Sequence, residues 1–426
     1  MNANPVQSTP LASAEIAGVV EQALTATPII DMHTHLYSPA FGDINLWGID
    51  QLLTYHYLEA ELFRASGMLP EDYWKLSKPQ QADVIWQELF VKRPPVSEAA
   101  RGAVRVLQAL GLPTDAPTLQ PARAFFAEQS VSQHIDHVFA LAGIKSVVMT
   151  NDPLDPAEGA VWDRGVEPDA RFHPVLRLDR VLNRWPEHWH LLQQRGYAVD
   201  AAATGKSIAE TRRWLLDVSA RMKPVYMAVS LPDTFVYPEG DLRTRLLREA
   251  VLPACRELDI PVSLMIGVRY QVNPRLRLAG DAVGKADLHS LERLCVEFPE
   301  NRILTSLLSR ENQHELTVYA RKFANLMPFG CWWFLNNPSI VEEMTRERIE
   351  MLGMTFIPQH SDARILEQVI YKWHNTRRTM APILTNAYAT LAQDGYPVRA
   401  EQIREDVQRL FVTNFQNWTP LQSAGR

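Results

Sequence analysis

The sequence predicts an α/β fold, a (β/α)8 barrel of TIM type with a helical insertion after the first strand. Eight short runs rich in apolar and β-branched residues alternate with stretches of helical periodicity. This alternation is typical of right-handed βαβ units and a parallel sheet, and eight units favour a closed barrel. An open doubly wound sheet is the alternative. It usually has a glycine-rich turn after its first strand, and residues 34–38 do not form one.

The elements follow in order along the chain. A tail over residues 1–12 reads as disordered, and a first helix is predicted over 13–25. The predicted strands are 29–36, 145–150, 172–178, 225–231, 261–268, 302–308, 324–331 and 354–359. Helices are predicted between the later strands over 208–221, 242–258, 286–298, 313–323 and 342–352.

Residues 38–130 change in character, since their periodicity is helical rather than alternating. The helices predicted in this insertion are 50–66, 71–76, 80–91 and 98–110. Three parts are therefore expected. They are a tail with the first barrel strand (1–37), the helical insertion (38–130) and the remainder of the barrel (131–426).

Composition excludes several classes of protein. The 426 residues are 46% apolar and 22% charged, which are ordinary globular values. A net charge of −6 gives no basic surface for nucleic acid. No apolar run is long enough to span a membrane, and residues 1–14 show no signal peptide. Three widely spaced cysteines indicate a reducing compartment, so we expect a cytoplasmic protein. A homo-oligomeric state stays open.

Two histidines spaced one apart end the first predicted strand. Residues i and i+2 of a strand point to the same side, so His33 and His35 can direct two imidazoles at one point. Such a pair suits a divalent metal, most often zinc. The spacing alone is a weak signal, because His188 and His190 repeat it in a polar helical stretch. A pair of surface histidines is the alternative.

The last predicted strand supplies a third candidate ligand, Asp362. Two histidines on strand one and an aspartate on strand eight form the amidohydrolase-type metal arrangement, in which the aspartate ligates the metal or carries a proton. Met265 stands where many such proteins have a histidine on strand five. At most one metal ion is therefore expected. His360 is an alternative ligand, two residues before Asp362.

The chain resembles the uronate isomerase family (glucuronate and galacturonate isomerases) from roughly residue 28 to 380. Motifs of that family occur in family order, and the most specific are Trp332-Trp333-Phe334, then Gly353-Met354 and the Asp362/Arg364 pair. The others are Asp31-Met32-His33-Thr34-His35, His56-Tyr57, Arg64 with Gly67, Thr150-Asn151-Asp152-Pro153-Leu154-Asp155, Arg177-Leu178-Asp179, Ile266-Gly267 with Arg269, Leu308-Ser309-Arg310-Glu311-Asn312, Gly330-Cys331 and Arg377-Arg378.

Four departures from the family pattern indicate a divergent branch. They are Met265 in place of a histidine, Pro232-Asp233-Thr234 where the family has Asp-His-Gly, Leu58-Glu59-Ala60-Glu61 after His56-Tyr57, and Leu335-Asn336-Asn337 after the tryptophan pair.

The resemblance implies an aldose–ketose isomerase of hexuronic acids, with metal-assisted proton transfer between C1 and C2. His33, His35 and Asp362 would hold one divalent ion, expected to be Zn2+. Tyr57 or Asp362 would shuttle the proton and His56 would polarise the substrate. Asp233 would orient a ligand or act as a base, with a turn residue as the alternative.

A small-molecule sugar acid is the expected partner. Arg177, Arg269 and Arg364 are candidates for its carboxylate, because guanidinium groups pair with carboxylates bidentately. Structural ion pairs, such as Arg177 with Asp179 and Arg364 with Asp362, are the alternative. Trp332 and Trp333 are candidates to stack on the sugar, and one of the two is expected to face the site, because strand tryptophans more often belong to the core.

Two other functions stay open. One is a mononuclear amidohydrolase-type hydrolase or lyase acting on an acidic sugar. The other is a catalytically inert barrel that binds a sugar acid, which Met265 favours. Retention of the histidines, Tyr57, Asp362 and Arg364 together argues against an inert protein.

Overall fold

A curled, mostly parallel sheet forms the centre of the molecule. The computed structural model describes residues 9–421. The order of the strands is β1-β2-β3-β4-β5-β7-β8, and β6 pairs antiparallel with β5. The strands are β1 Ile29–Thr34, β2 Ile144–Asn151, β3 Phe172–Arg177, β4 Met227–Pro232, β5 Val262–Arg269, β6 Ala282–Val283, β7 Ile303–Leu307 and β8 Leu326–Pro328. The predicted α/β class with a parallel sheet is confirmed, and the curl is consistent with a TIM-type barrel.

Helices cover the outside of the sheet. The first, α1 Ser13–Ala26, precedes β1. Those between β1 and β2 are α2 Ile49–Leu53, α3 His56–Ser66, α4 Pro70–Tyr73, α5 Lys78–Trp86, α6 Glu98–Ala109, α7 Gln120–Ala127 and α8 Val131–Ala142. The later helices are α9 Pro156–Asp163, α10 Asp179–Leu182, α11 Trp185–Gln194, α12 Ser207–Met222, α13 Leu242–Leu246, α14 Leu252–Glu257, α15 Leu288–Glu297, α16 Gln313–Ala320, α17 Pro338–Leu352, α18 Gln368–Gln393, α19 Ala400–Gln408 and α20 Asn414–Trp418.

The helix predicted over 50–66 is interrupted. The Thr54 hydroxyl donates to the Asp50 carbonyl at 2.6 Å as α2 ends, and Tyr55 then takes an extended conformation. A new helix, α3, begins at His56. This break places Tyr55 and His56 at the start of a helix, where a side chain can reach the sheet.

The prediction of a strand over 354–359 is wrong, because this segment does not form a regular strand. Only Ile357 forms a ladder bridge, with Phe329. Pro358 has no N–H to donate, and Asp362 has a left-handed φ of 51°. The segment nevertheless bonds to β1, because the Asp362 N–H donates to the His33 carbonyl at 3.1 Å. The two edges of the sheet therefore come close together at Asp362.

Apolar side chains from the strands and the inner helix faces form one large core, and a small second cluster surrounds Cys331. Met32, Val148, Val229 and Leu264 are essentially without exposed surface. The three cysteines are free and buried. Of the helices described between residues 9 and 421, none combines the length and apolar character that crossing a membrane requires. The predicted disordered tail lies mostly in residues 1–8, outside the described residues.

Candidate active site

Strand β1 brings the two predicted histidines to Asp362. His33 Nε2 lies 3.6 Å from Asp362 Oδ1, and His35 Nε2 lies 3.3 Å from the same oxygen. The three ligand atoms lie within 4.8 Å of one another. Alternation along an extended chain directs both imidazoles to one side, as the sequence predicts.

The protonation of His33 favours a cation at this point. Burial lowers the pKa of His33 to about 3 and that of His35 well below its usual value, so both imidazoles are neutral. The Tyr226 hydroxyl donates to the Met32 carbonyl at 2.7 Å, so its oxygen can accept from His33 Nδ1–H at 3.1 Å. Thr150 Oγ1 lies farther from Nδ1, at 3.4 Å. The lone pair of Nε2 then faces a carboxylate oxygen, an arrangement that a divalent metal ion would stabilise.

Asp31 holds the backbone next to Asp362 in position. Its Oδ1 accepts from the Ser361 N–H at 3.0 Å, and its Oδ2 accepts from Trp373 Nε1 at 2.8 Å. Burial raises the pKa of Asp31 to about 6. The side chain thereby joins β1, the segment before Asp362 and helix α18.

His360 lies under the donors rather than among them. Its ring packs edge-on against His33, with centroids 5.4 Å apart, and has no exposed surface. Neither ring nitrogen has a hydrogen-bond partner among the described residues. The group of converging metal donors does not include it.

A cavity of about 200 Å³ opens onto the donor triad. This is smaller than the roughly 300–1,000 Å³ of sites for drug-sized ligands. Five further residues that the sequence singled out line it: His56, Arg177, Trp332, Trp333 and Arg364. Metal donors, two guanidinium groups and aromatic rings thus share one small space.

The two cavity arginines differ in their pairing. Arg177 forms a bidentate pair with Asp179, with Nε–Oδ2 at 2.9 Å and Nη2–Oδ1 at 3.2 Å. The alternative of a structural ion pair therefore holds for Arg177. Arg364 forms no ion pair with Asp362 within residues 9–421. Burial raises the pKa of the nearby Tyr55 phenol, and the positive charge of Arg364 opposes this rise. Arg364 is the cation more available to a ligand.

Asp233 and Arg269 do not reach the cavity. Arg269 is 57% exposed, and its Nε lies 3.7 Å from Asp233 Oδ2. Alternation along β5 turns Val268 toward the cavity and Arg269 away from it. Asp233 packs against Gly284 instead. The structure therefore does not bring these two predicted site residues to the metal donors.

Tyr57 lies behind the cavity wall. Its ring packs edge-on against His56, with centroids 4.4 Å apart, and the Lys372 ammonium lies 5.7 Å from its centroid. Tyr55, which no sequence motif marks, lines the cavity instead. Its position directly before His56 was the available signal.

The turn between β5 and β6 supplies further lining residues. Tyr270, Leu278 and Asp281 all face the cavity. No motif marks them, because their position depends on how this turn folds over the sheet.

Glu158, near the end of β2, makes the stability of the protein depend on pH. It accepts hydrogen bonds from the Tyr37 hydroxyl at 2.7 Å and the Asp152 N–H at 2.9 Å, and burial raises its pKa to about 7. Its ordinary pKa is 4.5. Since the pKa is raised in the native state, the contribution of Glu158 to the free energy of unfolding is complete below pH 4.5. This contribution is lost as the pH rises through 7.

We therefore expect the free energy of unfolding of the wild type to fall by up to about 3 kcal/mol between pH 5 and 8 because of Glu158. In Glu158→Gln this part of the pH dependence should be absent. Urea unfolding at several pH values measures this. The exposed Glu187→Gln is the control and should follow the wild-type curve. A constant difference between Glu158→Gln and wild type at every pH would contradict the assignment.

Comparison with known proteins shows a high similarity to a solved structure. A uronate isomerase from Bacillus halodurans is 50% identical, with a TM-score of 0.94 over 96% of this chain and 97% of that chain. No family model matches the chain, and no curated protein matches it.

Two more distant structures share the fold. A uronate isomerase from Thermotoga maritima is 16% identical, with a TM-score of 0.76 over 95% of this chain and 97% of that chain. A glucuronate isomerase from Caulobacter crescentus is 15% identical, with a TM-score of 0.77 over 100% of this chain and 98% of that chain. At these identities the likeness concerns the fold alone.

Proposed function

The chain belongs to the uronate isomerase family, and we propose that it interconverts a hexuronic acid of the glucuronate or galacturonate type with its ketose. One observation carries the proposal. The cavity that opens onto His33, His35 and Asp362 is also lined by Arg177 and Arg364. It therefore offers metal donors for a carbonyl group and guanidinium groups for a carboxylate within one sugar-sized space.

The donor set fits one divalent ion, for which we propose zinc. His33, His35 and Asp362 would hold it, and two neutral imidazoles with one carboxylate resemble catalytic zinc sites that keep an open position. When bound, the ion supplies positive charge to a substrate oxygen. Met265, buried in β5, offers no imidazole for a second ion.

The reaction requires two proton transfers. Isomerisation removes a proton from C2 and adds one to C1, while the proton on O2 moves to O1. We propose Asp362 as the group that carries the carbon-bound proton; Tyr57 is left out because its ring lies behind the cavity wall. His56 is neutral, since burial lowers its pKa to about 3, and its Nε2 is buried without a partner among the described residues. A substrate oxygen or hydroxyl would satisfy this nitrogen.

Binding of the acid group falls to the arginines. Arg364 has no carboxylate partner within the described residues, so its guanidinium is free to pair with the C6 carboxylate. Trp332, buried at the wall, would supply an apolar surface for the sugar. Asp233 and Arg269 are left out of this proposal because they do not line the cavity.

We also infer that the sheet closes as a (β/α)8 barrel with residues 38–130 inserted after its first strand. Two backbone hydrogen bonds support closure. Ile357 N–H donates to the Pro328 carbonyl at 3.2 Å, and His35 N–H donates to the Ala363 carbonyl at 2.8 Å. The segment 357–363 thus bonds to both β8 and the end of β1.

The direct test is aldose–ketose exchange. Purified, metal-analysed protein would be incubated with glucuronate and with galacturonate in D2O, and proton NMR would follow the ketose and deuterium uptake at C2. We expect exchange with at least one acid. Absence of exchange with about one metal ion bound per chain would sink the isomerase proposal and favour hydrolysis of an acidic sugar.

Arg364→Met is expected to raise the KM for the uronate about 10- to 100-fold, because hydrogen bonds to charged groups are worth about 1.5–3 kcal/mol. Arg269→Met is the matched control, since its guanidinium lies outside the cavity. Initial rates across substrate concentrations measure both. Equal effects of the two substitutions would contradict the assignment of Arg364.

A further inference from the structure

The turn between β5 and β6 adds a carboxylate to the cavity. Asp281 lines the same space as Asp362, and no other acidic residue does so among the described residues. Asp362 belongs to the metal donor group. Asp281 is therefore the carboxylate that stays available to a substrate.

One of the two oxygens of the Asp281 carboxylate already accepts a hydrogen bond within the protein. Its Oδ1 accepts from the Gln271 N–H at 2.8 Å, which holds the turn together where Gln271 has a left-handed φ of 48°. The described residues give Oδ2 no hydrogen-bond donor. One oxygen thus fixes the turn and the other remains for a ligand.

The charges in the cavity determine the orientation in which a uronate binds. A uronate has one carboxylate, which guanidinium groups attract and Asp281 repels. Its hydroxyl groups are neutral donors, and hydrogen bonds to an ionised acceptor are about twice as strong as neutral ones. The hydroxyl-bearing part of the chain is therefore the part that suits Asp281.

We propose that Asp281 is a specificity-determining residue, whose Oδ2 accepts hydrogen bonds from sugar hydroxyl groups and so selects their configuration. This proposal rests on the proposed uronate substrate. Glucuronate and galacturonate differ in the configuration of one hydroxyl, so a fixed acceptor distinguishes them by a hydrogen bond made or lost.

Residues between β1 and β2 hold this turn in place. Arg275 forms a bidentate pair with Glu71, at 2.6 and 2.8 Å. Trp74 Nε1 donates to the Arg275 carbonyl at 2.9 Å, and the Arg277 guanidinium lies 4.4 Å from the Trp74 ring centroid. The position of Asp281 over the cavity thus depends on contacts with α4 and the residue after it.

The test measures binding without turnover. L-Gulonate and L-galactonate are glucuronate and galacturonate with the C1 aldehyde reduced, so they keep the carboxylate but cannot isomerise. Calorimetric titration of the zinc-loaded full chain gives a Kd for each. Asp281→Asn keeps the acceptor for Gln271 and removes the charge, so the turn is retained.

We expect Asp281→Asn to weaken the better-bound acid about 10-fold or more and to narrow the ratio between the two acids. Asp115→Asn, an exposed aspartate of the insertion, should change neither value. Glu71→Gln should weaken binding by less than about 5-fold, as expected for an exposed pair, and the neighbouring Asp72→Asn should have no effect.

The outcomes separate this proposal from the one on which it rests. If wild type binds both acids and Asp281→Asn leaves their ratio unchanged, the specificity role is overturned while the uronate substrate stands. An equal loss for both acids would show a structural role only, and would also overturn it. If wild type binds neither acid, the proposed function fails, and the role of Asp281 falls with it.

Discussion

Asp362→Asn is expected to lower turnover about a thousand-fold and to remove most of the bound metal. Both histidine nitrogens approach Asp362 Oδ1, at 3.6 and 3.3 Å, so the substitution replaces the one anionic donor of the group by a neutral amide. Lewis-acid polarisation is worth several kcal/mol, and each 1.36 kcal/mol is tenfold in rate. Asparagine tolerates the left-handed φ of 51°, so the backbone is retained.

The measurements are metal content per chain and the rate of aldose–ketose exchange. Asp233→Asn is the matched control, because that aspartate lies outside the cavity and pairs with Arg269. It should keep its metal and most of its turnover. Loss of activity in Asp233→Asn, with Asp362→Asn still active, would reverse the placement of the site.

Gly330→Ala is expected to destabilise the protein by about 3 kcal/mol. Gly330 has a φ of 64°, which L side chains rarely adopt, and a Cβ there would lie 1.8 Å from His360 Nδ1. His360 has no exposed surface and packs against His33. Strain at φ costs about 1–2 kcal/mol and overpacking about 1–3 kcal/mol. Movement of His360 should also disturb His33 and lower the metal content.

Gly353→Ala separates the two costs. Gly353 has a similar φ of 60°, and a Cβ there would meet no atom within 4 Å. It should therefore lose only the conformational part, about 1–2 kcal/mol, and keep its metal. Urea unfolding and metal analysis of both variants give the comparison. Equal losses in the two variants would mean that His360 moves aside without cost.

Seven of the eight predicted strands overlap strands of the structure, because β-branched apolar runs are typical of buried parallel strands. The run over 354–359 failed because Pro358 interrupts the ladder. The sequence pattern did not predict helix α18, which follows the last predicted strand. Its many polar residues and internal Pro382 mask an apolar face, yet Trp373 and Ile383 are buried on it.

Site residues that lie on strands or at their ends could be predicted from the sequence, whereas residues placed by distant contacts could not. His33 and His35 could be paired from strand periodicity, and Asp362 could be added from its place after the last apolar run. Arg269 lies outside the cavity in the structure, because one residue of register decides which face of β5 a side chain takes. Asp281 could not be found at all, since its approach to the cavity depends on the pairing of Arg275, in the same turn, with Glu71, some two hundred residues earlier in the chain.

The donor group joins the first strand of the sheet to the segment after the last one, and this has a consequence during synthesis. A ribosome adds about 5–20 residues per second, so about 16 to 65 seconds separate the appearance of His35 from that of Asp362. Until then the two imidazoles and Asp31 lack the partners that the finished protein gives them. A nascent or truncated chain that stops before Asp362 contains both histidines but cannot assemble the proposed metal site.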